Sequence, residues 1–311
     1  FLHNLLSNIN KKKFTVYGYY NNQLIDEQSK LLINDFDFFR NISDISTDSA
    51  FRQIQEDKID ILFDLSGHTA RNSLKVFRKK PSPIQISWLG YCFTTGLSSI
   101  DYILCDNVVL PKDDEKWFIE KPIRMSKSYY CFSEPRYDSI SIEEKKENKD
   151  FYIFGCFSNS PKINNAVIEA WSKILNETKL SKIMLKAKSF TDPQGYKWVL
   201  EKFQDTGIDG SRIIFEGISL REDYLRAYNK IDIILDAFPY PGGTTSCESL
   251  FMGVPVITLK GNNFLSNNGN SILSNSGLEE YISESVEEYI EKAIFCYKNR
   301  KKFNLKSKLE L

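Results

Sequence analysis

The chain is almost without histidine: of 311 residues only His3 and His68 carry an imidazole. Its six cysteines, Cys92, Cys105, Cys131, Cys156, Cys247 and Cys296, form no C-x-x-C pair and lie near no histidine cluster. No metal site is therefore expected, and a disulfide framework is not expected in so long and core-rich a chain. A reducing, cytoplasmic compartment is the better expectation. Net charge is missing too, since 41 basic residues cancel 41 acidic ones. Nucleic-acid and membrane-surface proteins usually need a positive field, so neither partner is expected. A local basic pocket for a small anion is still allowed. No apolar stretch approaches the roughly 20 residues that span a bilayer. No G-x-G-x-x-G follows the first strand of either half, which disfavours a dinucleotide-dependent dehydrogenase. The opening FLHNLLSNIN has neither an initiator Met nor a signal-peptide pattern and reads as a piece of something longer.

What is present is apolar and aromatic material for more than one core: 41% hydrophobic residues, with 22 Phe and 16 Tyr. The length predicts two domains of roughly 150 residues each. Short apolar runs alternate with helical patterns, the form of stacked βαβ units and a parallel sheet. In the first half, FTVYGYY (14–20), IDILFDL (59–65), IQISWLG (84–90) and DYILCD (101–106) read as strands, with helices over 48–57 and 70–79. The polar stretch 139–150 reads as a linker, which places the domains at 1–148 and 149–311. The second half starts with the strand FYIFGCF (151–157). Strands at 182–188, 212–217, 231–238 and 255–259 follow, alternating with helices at 163–176, 193–206, 221–230 and from the Gly-Gly turn to Met252. Helices at 268–276 and 285–298 close the chain. This alternation predicts an α/β, Rossmann-like domain.

Open parallel sheets bind ligands beyond the carboxyl ends of their strands, so the loops there carry the candidates. In FPYPGGTTSCESLFMGVPVITL (238–259), Gly242 and Gly243 permit close backbone approach, and Thr244 and Thr245 begin a helix. Free N–H groups, the helix dipole and two hydroxyls make an anion site suited to a diphosphate, and Glu248 stands one turn in, able to accept ribose hydroxyls. Thr245-x-x-Glu248 is equally a capping box, which needs no ligand. In FGCFSNSPKI (154–163), Lys162 precedes a helix and can meet a phosphate as a point charge, with Ser158 and Asn159 as neutral donors and acceptors; it can also be a solvated surface lysine. His68, in DLSGHTARNSL (64–74), follows a strand and can serve as base or hydrogen-bond a substrate hydroxyl, or merely start a helix. The Gly- and Thr-rich loop SWLGYCFTTGLSSIDY (87–102), with Gly90, Thr94 and Thr95, can line a sugar pocket or simply be a long turn.

Taken together, these loops resemble the catalytic region of protein O-GlcNAc transferases and the related SPINDLY proteins, glycosyltransferase family 41, over nearly the whole chain. PSPIQISWLGYCFTTGLSSIDYILCD, FGCFSNSPKI and IDIILDAFPYPGGTTSCESLFMGVPVITL carry the likeness. Asp236, Pro239, Tyr240 and the Gly-Val-Pro after the helix are not demanded by capping alone. The resemblance implies the type-B glycosyltransferase architecture, two Rossmann-like domains with parallel sheets facing a cleft. It further implies inverting, metal-independent transfer of a sugar, GlcNAc from UDP-GlcNAc by family habit, onto protein Ser or Thr hydroxyls, without a cofactor. Lys162 then stabilises the leaving phosphate, while Gly243, Thr244 and Thr245 bind the diphosphate. Glu248 holds the ribose, Arg221 and Tyr224 in SLREDYLRAY meet the base, and Asn159, Gly90, Thr94, Thr95 and His68 fall near sugar or acceptor. A protein acceptor presented by upstream tetratricopeptide repeats is expected. Two departures stand out. The family's His-Pro segment, with the histidine proposed for catalysis, should lie just before Phe1. Asn267, in FLSNNGNSIL, replaces an Arg common in O-GlcNAc transferases and matches SPINDLY-type members, which use GDP-fucose. GDP-fucose, or a non-catalytic module binding a nucleotide sugar or a protein, is the alternative.

Overall fold

The computed structural model describes residues 1–135, 140–142 and 150–300. Most of the expected linker, and the expected boundary at 148/149, lie outside these. The chain divides into two compact units, Phe1–Ser133 and Glu134–Leu311, and all of the strand pairs in both are parallel.

In the first unit α1 (Leu2–Asn8) leads to β1 (Tyr17–Tyr20), α2 (Glu27–Ile33), β2 (Phe38–Asn41), α3 (Thr47–Glu56), β3 (Ile61–Asp64), α4 (Leu74–Arg78), β4 (Ile84–Ser87), β5 (Tyr102–Cys105) and β6 (Lys121–Arg124). β1 and β2 pair as one sheet, and β3-β4-β5-β6 form another in that order. The α3 helix begins where the Ser46 hydroxyl accepts from Ser49 N at 3.1 Å, and it sends Ala50 and Ile54 into a core with Ile42, Leu62, Val76, Phe77 and Ile100. In β3 the period-2 alternation turns Leu62 and Asp64 inward while Ile61 and Phe63 stay exposed. The helix expected over 70–79 is shorter, Leu74–Arg78. The residues before it form a turn, with Arg71 at φ 59° and the Asn72 carboxamide bonded to Thr69 O and Leu74 N. Elements α1, α2, β2 and β6 are additional to the sequence reading. β6 reads KPIR, which has no strand pattern, and Pro122 is tolerated because β6 pairs only with β5, at the sheet edge.

The second unit runs β7 (Tyr152–Cys156), α5 (Asn165–Glu177), β8 (Ser181–Lys186), α6 (Pro193–Asp205), β9 (Ile213–Glu216), α7 (Arg221–Arg226), β10 (Ile233–Leu235), α8 (Thr244–Phe251), β11 (Val256–Leu259), α9 (Asn268–Ser274), β12 (Ile282–Ser283) and α10 (Val286–Lys298). Asn164 caps α5 by accepting from Val167 N at 3.1 Å. The apolar stripe Val167, Ala170, Trp171 and Ile174, at helical spacing, is buried. Trp171 Nε1 donates to the Tyr289 hydroxyl at 3.0 Å, which ties α5 to α10. The six strands lie in the order β12-β11-β10-β7-β8-β9. The chain thus starts at the centre, builds outward through β8 and β9, and returns to the other side of β7 with β10. Two strands whose connections leave in opposite directions cannot both be covered at their carboxyl ends, so a crevice opens between β7 and β10.

All six cysteines are free thiols. Among the described residues no helix is long and apolar enough to cross a membrane.

Candidate functional site

The loops after β7 and β10 flank that crevice, and they are the loops that hold Lys162 and the Gly-Gly-Thr-Thr turn. Lys162 ends a short 3-10 turn, Ser160–Lys162. Its Nζ donates to the carbonyl of Pro241 at 2.8 Å and stands 3.8 Å from the ring centroid of Tyr240. Asn164, two residues on, donates to Phe238 O at 2.8 Å. The two loops are therefore laced together, and a cation lies beside the glycine turn.

The turn itself is braced from below. Asp236 directly follows β10 and is only 2% exposed. Its Oδ1 accepts from Gly242 N at 2.6 Å, its Oδ2 from Thr258 Oγ1 at 3.2 Å, and its carbonyl from the Tyr289 hydroxyl at 2.9 Å. Burial pushes this carboxyl up to about 6, against the hydrogen bond from Gly242 and the nearby charge of Lys162. A Cβ at Gly242 would stand 2.3 Å from Ser246 Oγ and 2.5 Å from Thr245 Oγ1, so both hydroxyls would have to turn away.

Helix α8 starts at Thr244 with Gly243 as N-cap, and no side chain caps it. The capping box read from Thr245-x-x-Glu248 is not formed. With Gly243 as cap, Glu248 is the fifth helical residue, beyond reach of the cap N–H. It points instead to Arg221, whose Nη2 donates to Glu248 Oε1. Glu248 is 2% exposed while the Arg221 side chain is 43% exposed. Burial raises the Glu248 carboxyl and Arg221 works against that rise. Arg221 also lies over the ring of Tyr224, 5.4 Å from its centroid. Tyr224 meets the Tyr228 hydroxyl at 3.3 Å, and Tyr228 donates to Thr245 O at 3.1 Å. Glu248, Arg221 and Tyr224 thus form one cluster connected to the helix start. Thr244 is exposed, Thr245 half-buried and Asn159 exposed. Asn267 is 4% exposed and its Oδ1 has no hydrogen-bond partner, a buried acceptor lacking a donor.

The remaining candidates belong to the first unit. His68 lies in the turn after β3, with Nε2 3.0 Å from Thr95 O and its ring edge-on to Tyr91 at 5.4 Å. Gly90 carries the close approach of the two loops: a Cβ there would sit 2.1 Å from Leu65 O. Thr94 and Thr95 both bond the buried carboxylate of Glu120. Sequence reasoning missed Glu120, Tyr228 and Asn164. Asn164 had a readable signal, an Asn at a helix start, whereas Glu120 in FIEKP resembles any surface acid.

Among the described residues no three His, Cys, Asp or Glu side chains converge as a metal site. The family description Glycosyl transferase family 41 matches residues 4–137 and 139–309. The chain is 37% identical over 225 residues to the probable UDP-N-acetylglucosamine–peptide N-acetylglucosaminyltransferase SPINDLY of Eustoma exaltatum subsp. russellianum, covering 72% of this chain and 24% of that protein. It is 28% identical over 229 residues to the probable UDP-N-acetylglucosamine–peptide N-acetylglucosaminyltransferase SEC of Arabidopsis thaliana, covering 71% and 23%. An O-GlcNAc transferase mutant from Thermobaculum terrenum matches with a TM-score of 0.94 at 30% identity, over 100% of this chain and 60% of that one. The chain spans about a quarter of the length of these curated relatives.

Proposed function

The chain belongs to glycosyltransferase family 41, and from that footing we propose that it transfers a sugar from a nucleoside diphosphate to Ser or Thr hydroxyls of proteins. Its fold is the type-B glycosyltransferase architecture of two Rossmann-like domains. The observation that carries the proposal is the lacing of Lys162 to Pro241, at 2.8 Å, where the sheet order reverses. It sets a cation and an uncapped helix start side by side, and both favour a diphosphate.

In this reading the acceptor hydroxyl oxygen attacks the anomeric carbon as the bond to the diphosphate breaks, the electron pair leaves with the phosphate, and the hydroxyl proton passes to a base or to solvent. Attack from the face opposite the leaving group inverts the centre. The developing charge falls on Lys162 and the N–H groups at Thr244 and Thr245, so no divalent ion is required for it. Glu248 takes the ribose hydroxyls, with Arg221 and Tyr224 against the base. UDP-GlcNAc is the first donor, in keeping with what the relatives' names state. Asn267 favours a second reading, GDP-fucose: a buried, unpartnered neutral acceptor stands where a cation is common in O-GlcNAc transferases.

The test, made on protein extended upstream of Phe1 to include the expected His-Pro segment, is transfer or hydrolysis of radiolabelled UDP-GlcNAc and GDP-fucose, measured side by side with and without EDTA. Turnover of either donor in EDTA supports the proposal, and the preferred donor decides between the readings. Binding of both without turnover leaves a nucleotide-sugar-binding module and overturns the enzymatic claim.

A further inference from the structure

We propose that Glu120 is a positioning residue that locks His68 in a single tautomer, with Nδ1 as the acceptor. The inference rests on the reading of His68 as a site residue, but its geometry is independent of the sugar donor.

Glu120 directly precedes β6 and is 2% exposed. A carboxylate so buried must be satisfied by hydrogen bonds, and three come from two adjacent residues. Thr94 Oγ1 donates to Oε2 at 2.6 Å, Thr95 N donates to Oε1 at 2.7 Å, and Thr95 Oγ1 also donates to Oε1. The two hydroxyls then accept in turn, Thr94 Oγ1 from Gly96 N at 3.1 Å and Thr95 Oγ1 from Leu97 N at 3.3 Å. Glu120 therefore fixes the backbone of the 94–97 loop and with it the direction of the Thr95 carbonyl.

That carbonyl lies 3.0 Å from His68 Nε2. A carbonyl can only accept, so Nε2 carries the hydrogen, and a neutral imidazole has just one. Nδ1 is left with its lone pair. The His68 turn is pinned separately: Asp64 accepts from Gly67 N at 2.9 Å and from Ser66 N at 3.2 Å. Both ends of the Nε2 bond are thus held by buried carboxylates, while the ring itself is exposed. A ring so held offers an acceptor at a fixed place, which is what a group that receives a hydroxyl hydrogen requires.

The chain has only two histidines, so nitrogen-15 NMR of the imidazoles in the full 311-residue chain resolves the matter directly. With neutral rings, His68 (assigned by its loss in His68→Ala) is expected as the pure Nε2–H tautomer. An Nδ1–H tautomer or a rapid mixture overturns the proposal. Glu120→Gln is expected to release the lock and give a mixture. Should that variant fail to fold, the double variant Thr94→Ala, Thr95→Ala removes both hydroxyl links while leaving the Thr95 carbonyl in the chain. A lock retained in either folded variant contradicts the role of Glu120. In transfer assays Glu120→Gln is expected to lower kcat on the order of tenfold to a hundredfold with KM for UDP-GlcNAc unchanged, the mark of misplacement rather than lost binding. A normal tautomer lock in upstream-extended protein that turns over no donor refutes the enzymatic reading and leaves this one standing.

Discussion

Each unit sets two threonines beside a glycine, and the two pairs are put to opposite use. In the first unit, Thr94 and Thr95 precede Gly96 and give both hydroxyls to buried Glu120. In the second, Thr244 and Thr245 follow Gly243, begin α8, and no side chain caps the helix. Here the buried carboxylate, Asp236, takes the N–H of Gly242 instead and holds the turn from beneath. A pair of hydroxyls next to glycine is therefore not a binding site in itself. What decides is where the nearest buried acid spends its hydrogen-bonding capacity.

The comparison breaks first at Lys162, which has no counterpart in the 94–97 loop. Lys162→Ala is expected to lower donor turnover by about 10²–10³-fold, as for loss of one preorganised group on a leaving charge, with circular dichroism unchanged. The next effect is on stability. Burial pushes Asp236 up to about 6, above its unfolded value, so its share of stability is full at pH below that unfolded value and is lost as pH rises through about 6. Asparagine cannot ionise and keeps an acceptor for Gly242 N. Asp236→Asn should therefore gain on the parent by on the order of 2–3 kcal/mol between about pH 4 and about pH 8 in denaturant melts. A constant difference across that range contradicts the buried-acid account.

A paired substitution sharpens the contrast. Thr94→Ala removes a bond from a buried carboxylate and should cost about 1–3 kcal/mol, whereas Thr244→Ala, at an exposed and uncapped helix start, should stay within about 0.5 kcal/mol. Equal costs would mean that the two pairs are used alike. The glycines carry the same contrast. Gly242→Ala drives a Cβ against Ser246 Oγ and Thr245 Oγ1 and should weaken UDP binding about tenfold, or ~1.4 kcal/mol. Gly96→Ala meets nothing within 4 Å but sits at φ +71°, so it should cost about 1 kcal/mol of stability and leave UDP affinity alone.

Much of the second unit was legible because most of its strands are buried on both faces and read as apolar runs. Its helices also announce themselves, as Asn164 does before α5. The position of Lys162 and the glycine turn after strands that prove to be neighbours followed from the same pattern. The first unit was less legible. β2 and β6 are short and partly exposed, so neither alternation nor apolarity marks FFRN or KPIR. At the site, Thr245-x-x-Glu248 satisfied a local capping pattern, but the cap moved to Gly243 and Glu248 turned to Arg221, some 27 residues away in sequence. Glu120 and Tyr228 were hidden for one reason: their importance lies in the loops they reach, and no local window of sequence contains those loops.

The central claim is that the turn after β10 and Lys162 together hold a nucleoside diphosphate. It is tested most directly by thermal unfolding of the parent chain and of Lys162→Ala and Thr245→Ala, each with UDP, GDP and NAD. At a hundredfold excess over its dissociation constant, UDP or GDP should stabilise the parent by about 2.7 kcal/mol. Both variants should lose much of that shift at the same concentration, and NAD should give none. A full UDP or GDP shift in both variants, or a shift with NAD alone, would contradict the assignment.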